Sequence, residues 1–240
     1  MKAVILAAGV GSRIRPLTEN THKSLLNIGN KTILERMVDG ILDTGIEEII
    51  AVTGYRAEEI KQFLHESYPK VSFRFIHNEY YIETNTGYSL LLTKQAVGDD
   101  EFIKFDADVI FEPAILKKLL KSPTSALCID KNIHLEAEEV KVITDESMRV
   151  VEVGKKLDPK LASGESIGIE KIDYLAGKVL FSELGKIMKD KKNWQEYYDD
   201  SYTTIVKKGV PMFAVDITGL KWVEIDTTAD FKRAEKLFKI

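Results

Sequence analysis

Two cations and a run of small residues near the start of the chain have the types and spacing to bind a phosphorylated ligand. Arg13 offers a planar fork of donors that suits phosphate, and Lys23 adds a second positive charge. Small residues before them allow backbone N–H groups to approach an anion closely. The candidate nucleotide-binding residues are Leu6, Ala7, Ala8, Gly9, Gly11 and Ser12. We therefore predict that this loop holds the triphosphate of a nucleotide.

The spacing of the glycines separates this loop from two common phosphate-binding motifs. It lacks the third glycine of the dinucleotide fingerprint, and it does not match the GxxxxGK[ST] pattern of P-loop NTPases. A glycine-rich turn after a first strand also occurs without any ligand. The positions of Arg13, Pro16, Thr18 and Lys23 favour a nucleotide site over a plain turn.

Three aspartates that follow apolar segments have the chemistry of a metal site. Asp106 and Asp108 close a predicted strand at 102–108, and Asp226 closes another at 222–226. Alternate side chains of a strand share a face, so the first two carboxylates can point the same way. Carboxylate oxygens suit Mg²⁺, but aspartate is also common in turns and at helix N-caps. From the residues alone, a magnesium site and these structural roles both stay open.

Two further segments can shape a substrate pocket. Asn85, Thr86, Gly87 and Ser89 begin a predicted helix, where they serve either as caps or as the wall that contacts a nucleotide base. Residues 193–202 are rich in aromatic and acidic side chains. They form either a helix with an aromatic core face or a cage for a cationic ligand. The candidates in this second segment are Trp194, Tyr197, Tyr198 and Asp199.

The elements that position these residues alternate between strand and helix. Apolar runs and helical periodicity predict strands at 2–6, 47–53 and 71–76 and helices at 32–44 and 57–66. This order indicates a mostly parallel sheet covered by helices on both faces. Such sheets bind ligands beyond the carboxyl ends of their strands, where the glycine-rich loop lies.

After residue 122 the pattern changes to shorter strands, with two more helices. The predicted strands are 126–130, 140–144, 149–153 and 211–216, and the predicted helices are 174–188 and 227–238. The expected fold class is therefore α/β. It comprises a mostly parallel, mixed and twisted sheet flanked by helices, Rossmann-like, with a small β-rich part.

Composition sets broad limits on the kind of protein. The 240 residues are enough to bury a sizeable core, and the net charge of −4 gives no reason to expect a nucleic-acid or membrane partner. The one cysteine, Cys128, excludes an intramolecular disulfide. No secretory signal and no apolar run long enough to span a bilayer is found, so we expect a cytoplasmic protein.

The segment AAGVGSRIRPLTENTHKSL closely resembles the N-terminal signature of the nucleoside-triphosphate transferases, which is roughly AAGxGxRLxPLTxxxPKxL. The one departure is His22, where the family has proline. The resemblance implies a pyrophosphorylase-type reaction in which Arg13 and Lys23 are catalytic. It also implies that Asp108 and Asp226 bind Mg²⁺.

The same resemblance implies where the second substrate, the acceptor, binds. In this family a lysine near a strand end faces the acceptor phosphate, which fits Lys155 or Lys156. An acid on the next segment faces the acceptor's hydroxyl or amine, which fits Glu165. Asp106 is a further candidate contact for the nucleotide.

The segments NTGYSL and SGESIG look most like those of the small CTP-dependent cytidylyltransferases that act on phosphocholine, inositol phosphate or phosphonates. The expected reaction transfers CMP from CTP to such an acceptor and releases pyrophosphate. A sugar-1-phosphate uridylyl- or thymidylyltransferase is the alternative. A glycosyltransferase of similar fold and a non-catalytic subunit are less favoured, because the cations of the loop and the aspartates are all present.

The resemblance spans most of the chain and implies one domain over residues 1–240. Residues 1–122 would form the nucleotide-binding half, and residues 123–240 the acceptor-binding half with the C-terminal helix. The identity of the acceptor and the oligomeric state, a homodimer included, stay open at the level of sequence.

Overall fold

A computed structural model describes residues 1–132 and 138–238 of the chain. Its strands are β1 (Lys2–Ala7), β2 (Asn27–Ile28), β3 (Lys31–Thr32), β4 (Glu48–Thr53), β5 (Ser72–His77), β6 (Phe102–Asp106), β7 (Val109–Phe111), β8 (Ala126–Asp130), β9 (Lys141–Thr144), β10 (Val150–Gly154), β11 (Gly164–Ile172), β12 (Phe213–Asp216) and β13 (Trp222–Glu224). Its helices are α1 (Ile33–Leu42), α2 (Ala57–Ser67), α3 (Thr86–Leu92), α4 (Lys94–Val97), α5 (Ala114–Leu119), α6 (Tyr174–Ile187), α7 (Asp200–Lys207) and α8 (Thr228–Phe238). Within the two described ranges, no helix combines the length and the hydropathy that a membrane span requires.

The central sheet is mixed and has a parallel core. Strands β5, β4, β1 and β6 lie side by side in that order and run parallel, and β11 adds antiparallel to β6. Strand β11 also pairs with β8 and β9, which in turn pair with β12 and β10. The predicted fold class is confirmed: a mixed, mostly parallel sheet flanked by helices, with small antiparallel parts.

Helices cover both faces of the sheet because alternate residues of β1 belong to two separate cores. Ala3 and Ile5 pack with apolar residues of α1, α2 and α5, whereas Val4 and Leu6 pack with those of α3, α6 and α7. A strand that is buried on both faces needs the continuous apolar run that KAVILA provides. The chain adds β4 and β5 on one side of β1 and then returns to place β6 on its other side, so a crevice for ligands opens at the carboxyl end of β1.

Three predicted elements differ in extent from the observed ones. The strand expected at 102–108 ends at Asp106, and Asp108 lies in the turn before β7. The strand expected at 222–226 ends at Glu224. In the aromatic segment, helix α7 begins only at Asp200. One reason is that the Trp194 carbonyl accepts the backbone N–H of Asn85 at 2.8 Å, so this carbonyl is used across the fold and not within a helix.

A capping box at the start of α1 gives a test of how this helix is stabilised. Thr32 Oγ1 accepts the backbone N–H of Glu35 at 2.9 Å, and Glu35 Oε2 accepts that of Thr32 at 3.3 Å. We expect Thr32→Ala to lower the free energy of unfolding by about 1 kcal/mol, because orphan N–H groups lose their acceptor. Urea unfolding followed by circular dichroism measures this change. Thr32→Ser keeps the cap and should stay near wild type; an equal loss in both variants would point to the methyl group instead.

Candidate active site

A cleft of about 790 Å³ at the carboxyl ends of β1 and β6 gathers most of the predicted site residues. The sequence candidates that line it are Leu6, Ala7, Ala8, Gly9, Gly11, Ser12, Arg13, Lys23, Asn85, Thr86, Ser89, Asp106, Asp108, Lys155, Glu165, Tyr197, Tyr198, Asp199 and Asp226. Three other candidates, Gly87, Lys156 and Trp194, do not line this cleft.

The glycine-rich loop leaves β1 and turns along the edge of the cleft. Gly11 has a φ of +63°, and a Cβ there would lie 3.1 Å from Lys23 Cβ. Its carbonyl accepts the Thr18 hydroxyl at 2.8 Å, which tethers the turn. No atom lies within 4 Å of a Cβ built on Gly9, so a ligand can approach the backbone there. The small residues therefore serve both the fold of the loop and access to its N–H groups.

His22 braces the same loop at the position where the family has proline. The buried ring accepts the backbone N–H of Ser24 on Nδ1 at 3.1 Å and contacts the Gly9 carbonyl through Nε2 at 3.1 Å. Because Nδ1 is an acceptor, the proton lies on Nε2, and Nε2–H donates to that carbonyl. Burial lowers the pKa of His22 to about 4, which keeps the ring neutral. A hydrogen-bonded ring thus supplies the rigidity that proline gives elsewhere.

Lys23, Arg13 and two aspartates from distant strands form one charged cluster. Lys23 Nζ lies 2.7 Å from Asp108 Oδ2 and 3.0 Å from Asp226 Oδ1, and Arg13 Nη2 lies 2.8 Å from Asp226 Oδ2. Burial opposes the charge on Lys23, but the two carboxylates raise its pKa above the usual value. Burial likewise opposes ionisation of Asp108, and Lys23 more than compensates, so the pKa of Asp108 is lowered. Lys23 and Asp108 therefore both carry their charges at neutral pH.

Glu224 is a third carboxylate of this cluster, and the sequence analysis missed it. Carboxylate oxygens of Asp108, Glu224 and Asp226 all lie within 4.8 Å of one another. Burial and the charges of Asp108 and Asp226 raise the pKa of Glu224 well above its usual value. Glu224 and Asp226 are two residues apart, so the alternation of side chains along a strand would have indicated the pair.

The start of α3 forms a polar wall of the cleft. Asn85 accepts the backbone N–H of Thr86 through its side chain at 2.8 Å, and Ser89 Oγ accepts Asn78 Nδ2 at 3.0 Å. Thr86 Oγ1 is buried and has no hydrogen-bond partner among the described residues. Gly87 packs away from the cleft, since a Cβ there would lie 2.7 Å from the Glu196 carbonyl oxygen. Asn85 thus caps α3, and a contact of Asn85 or Thr86 with a nucleotide base stays a prediction.

A fully buried lysine, Lys104, forms an ion pair with Asp106, the last residue of β6. Its ammonium lies 2.9 Å from Asp106 Oδ2 and 2.8 Å from Glu170 Oε2, and it also contacts the Tyr198 hydroxyl. Tyr198 in turn donates a hydrogen bond to Asp106. A Cβ on Gly168 would lie 2.5 Å from Asp106 Oδ2, so only glycine leaves room for this carboxylate. Asp106 is therefore part of a separate cluster from Asp108, although the two are near neighbours in sequence.

The candidates for the acceptor side divide between the cleft and the core. Lys155 lines the cleft with its ammonium 4.4 Å from the Tyr197 ring centroid, whereas Lys156 is exposed elsewhere. The ring centroid of Trp194 lies 5.0 Å from those of both Tyr80 and Tyr88, and its Nε1 donates to the Met188 carbonyl. Tyr197 and Tyr198 of the aromatic segment therefore line the cleft, whereas Trp194 packs against other aromatic residues.

Comparison with known proteins identifies the family. A family model described as Nucleotidyl transferase matches residues 2–134, which is more than half of the chain. Among curated relatives, the choline-phosphate cytidylyltransferase of Streptococcus pneumoniae is 27% identical over 100% of this chain and 99% of its own length. The CTP:phosphoglutamine cytidylyltransferase of Campylobacter jejuni is 27% identical over 97% of this chain and 98% of its own.

A solved structure agrees with these relatives. The chain superposes on the CTP:phosphocholine cytidylyltransferase of Streptococcus pneumoniae with a TM-score of 0.81 and 25% identity, over 99% of both chains. The mixed sheet and its flanking helices are therefore the fold of solved nucleotidyltransferases.

The pH dependence of stability tests the neutral, buried state of His22. The pKa is about 4 in the fold against 6.5 for an ordinary histidine, so the unfolded chain binds more protons between these values. The contribution of His22 is complete above pH 6.5 and is lost as the pH falls through 4, by about 3 kcal/mol in all.

Denaturant unfolding of wild type and His22→Gln between pH 4 and 6.5 separates the contribution of His22 to stability from that of the other titratable groups. We expect wild type to lose stability more steeply on acidification than the variant. His65→Gln, at an exposed histidine, is the matched control and should follow wild type. Parallel curves for wild type and His22→Gln would contradict the assignment.

Proposed function

The chain belongs to the nucleotidyl transferase family, and from that premise we propose that it transfers CMP from CTP to a phosphorylated small alcohol or a phosphonate, with release of pyrophosphate. The observation that carries the proposal is the convergence of Lys23 and Arg13 with Asp108 and Asp226 in one cleft beside the glycine-rich loop. Cations that bind a triphosphate and carboxylates that bind a metal lie in direct contact.

The proposed reaction is an in-line displacement at phosphorus. An oxygen of the acceptor's phosphate or phosphonate attacks the α-phosphorus and forms a new P–O bond. The bond from the α-phosphorus to the bridging oxygen breaks, and its electron pair leaves with pyrophosphate. The nucleophile is already an anion, so the reaction needs no general base, and catalysis reduces to positioning and charge stabilisation. Arg13 would hold the β- and γ-phosphates, and Lys23 would stabilise charge that develops around the α-phosphate.

The carboxylates of the charged cluster fit a magnesium ion. Mg²⁺ prefers oxygen ligands, and three carboxylates offer oxygens within 4.8 Å of one another. Asp108 Oδ1 is also buried without a hydrogen-bond partner among residues 1–132 and 138–238. Asp108 and Asp226, joined by Glu224, would hold the ion. When bound, it supplies Lewis-acid charge stabilisation for the triphosphate.

The two halves of the chain would divide the substrates between them. Residues 1–122 supply the glycine-rich loop and the polar wall for the nucleotide, with Asp106 at the boundary. Residues 123–240 supply Lys155 and Glu165 for the acceptor. Strand β6 of the first half pairs with β11 of the second.

The choice of CTP is supported by the relatives, whose names state cytidylyl transfer. The alternative is a sugar-1-phosphate uridylyl- or thymidylyltransferase with the same catalytic groups. A pyrophosphate-release assay with CTP, UTP, dTTP, GTP and ATP separates the two. The assay uses phosphocholine, aminoethylphosphonate, inositol phosphate and glucose 1-phosphate as acceptors. We expect release with CTP and a non-sugar acceptor; release only with UTP or dTTP and the sugar phosphate would contradict the proposal.

Removal of the Lys23 ammonium tests the proposed catalytic role. We expect Lys23→Ala to lower kcat by roughly 10²–10³, the usual cost of one transition-state donor. Lys70→Ala, at an exposed lysine, is the matched control and should retain wild-type turnover. Thermal unfolding of both variants shows whether the fold is intact, since Lys23 also neutralises two carboxylates. Near-wild-type turnover of a folded Lys23→Ala protein would disprove the role.

A further inference from the structure

Residues 54–59, which join β4 to the first turn of α2, pack against the loop that carries Lys23. The backbone N–H of Tyr55 donates to the Ala8 carbonyl at 3.1 Å, just after the end of β1. A Cβ on Gly54 would lie 2.8 Å from the same carbonyl oxygen, so glycine is needed for this close approach. The 54–59 segment is therefore in direct contact with the glycine-rich loop.

Glu59 accepts hydrogen bonds from the two residues that precede Lys23. Its Oε1 accepts the Thr21 hydroxyl at 2.5 Å, and its Oε2 accepts the backbone N–H of His22 at 3.2 Å. These partners lie 38 and 37 residues away along the chain. Both oxygens of one carboxylate thus fix a short stretch of the loop, immediately before the residue whose charge is proposed to be catalytic.

Arg56 orients Glu59 and holds the same loop at a second point. Its Nη1 lies 3.4 Å from Glu59 Oε2, and its Nη2 donates to the Glu19 carbonyl at 2.8 Å. Arg56 has a φ of +50°, in a region that glycine adopts readily and arginine adopts rarely. An arginine in this strained conformation indicates that its side chain is needed for these contacts.

Glu59 lies outside the cleft, so its effect on a reaction there must pass through the loop. Its side chain is 30% exposed and does not line the cleft, whereas His22 and Lys23 do. Lys23 is thus held at both ends. Asp108 and Asp226 fix its ammonium, and the contacts of Glu59 fix the backbone that leads to it.

We infer that Glu59 is a positioning residue for nucleotidyl transfer, which fixes the backbone at Thr21 and His22 so that the Lys23 ammonium is placed for the α-phosphate. This inference rests on the proposed function, in which Lys23 stabilises charge that develops there. Donors that are already oriented need no reorganisation during the reaction, and a displacement of about 1 Å can lower a rate by roughly 10²-fold. Glu59 takes no part in bond making or breaking.

Two substitutions at Glu59 test the inference by pyrophosphate release with CTP. The acceptor is whichever of phosphocholine, aminoethylphosphonate, inositol phosphate and glucose 1-phosphate the wild type uses best. We expect Glu59→Ala to lower kcat by about 10-fold and to change the KM for CTP by less than about twofold, because Lys23 acts mainly in the transition state. Glu59→Gln should stay near wild type, since its amide oxygen can accept the His22 N–H and its NH₂ group can donate to the Thr21 hydroxyl.

Glu58→Ala is the matched control. Glu58 is the preceding residue in the first turn of α2, is 87% exposed and pairs with Lys61. Its removal takes one acid from the same helix turn without a change in the contacts to the loop, so wild-type kcat is expected. Equal losses of kcat in Glu58→Ala and Glu59→Ala would point to the stability of α2 and overturn the inference. A folded Glu59→Ala protein with wild-type kcat would overturn it as well.

A double-mutant cycle with Lys23 separates positioning from a general structural role. The Lys23→Ala protein has no ammonium to place, so the addition of Glu59→Ala should lower kcat by less than about twofold. A further loss of about 10-fold in that background would mean that the two residues act independently, and it would refute the positioning role.

The loop side of the same contact decides the inference if Glu59→Ala does not fold. Thr21→Val removes the hydroxyl at similar volume, whereas Thr21→Ser keeps it. We expect Thr21→Val to lower kcat by about 3-fold, the usual cost of one hydrogen bond, and Thr21→Ser to stay at the wild-type value. Equal kcat in these two variants overturns the inference and leaves nucleotidyl transfer standing. Absence of pyrophosphate release by wild type with every nucleotide and acceptor refutes the proposed function, and the inference with it.

Discussion

The ammonium of Lys23 joins three parts of the chain that are far apart in sequence, and the site depends on that junction. Its partners Asp108 and Asp226 are 85 and 203 residues away. Two carboxylates that lie this close in a partly buried place repel each other unless a cation lies between them. Burial of the Lys23 ammonium would in turn be unfavourable without these two carboxylates. The loop after β1, the turn after β6 and the segment after β13 therefore hold one another in place.

This constraint extends into the residues that support the loop. The backbone of Gly11 packs against Lys23 Cβ. His22, which precedes Lys23 in the chain, hydrogen-bonds to Gly9 and Ser24. Rigidity matters here because donors that are already oriented need no reorganisation when a triphosphate arrives. The loop thus obtains from hydrogen bonds and close packing what a proline would give through a fixed φ angle. His22 therefore constrains the loop through hydrogen bonds, where a proline at this position would constrain it through its ring.

The sequence predicts the fold and the convergence of the charged cluster, because both follow from order along the chain. Apolar runs that alternate with helical periods fix a parallel sheet, and the carboxyl ends of its strands meet at one edge. The Lys104 cluster has no such signal. A lysine in the strand FIKFD has the pattern of a solvent-facing residue, and its partners Glu170 and Tyr198 come from elements whose approach only the tertiary structure defines. Trp194 packs against Tyr80 and Tyr88 whereas Tyr198 contacts Lys104, and only the tertiary structure separates these two residues of one aromatic segment.

The two lysine clusters differ in how much positive charge they present to the cleft. At the nucleotide side, Lys23 is paired with two aspartates, whereas the Arg13 guanidinium stays exposed in the cleft although it pairs with Asp226. On the other side of the cleft, Lys104 is fully buried, and its charge is neutralised by Asp106 and Glu170. Of the two clusters, only the one that contains Arg13 thus presents an exposed cation to the cleft, and this is the side on which an anionic ligand would be stabilised.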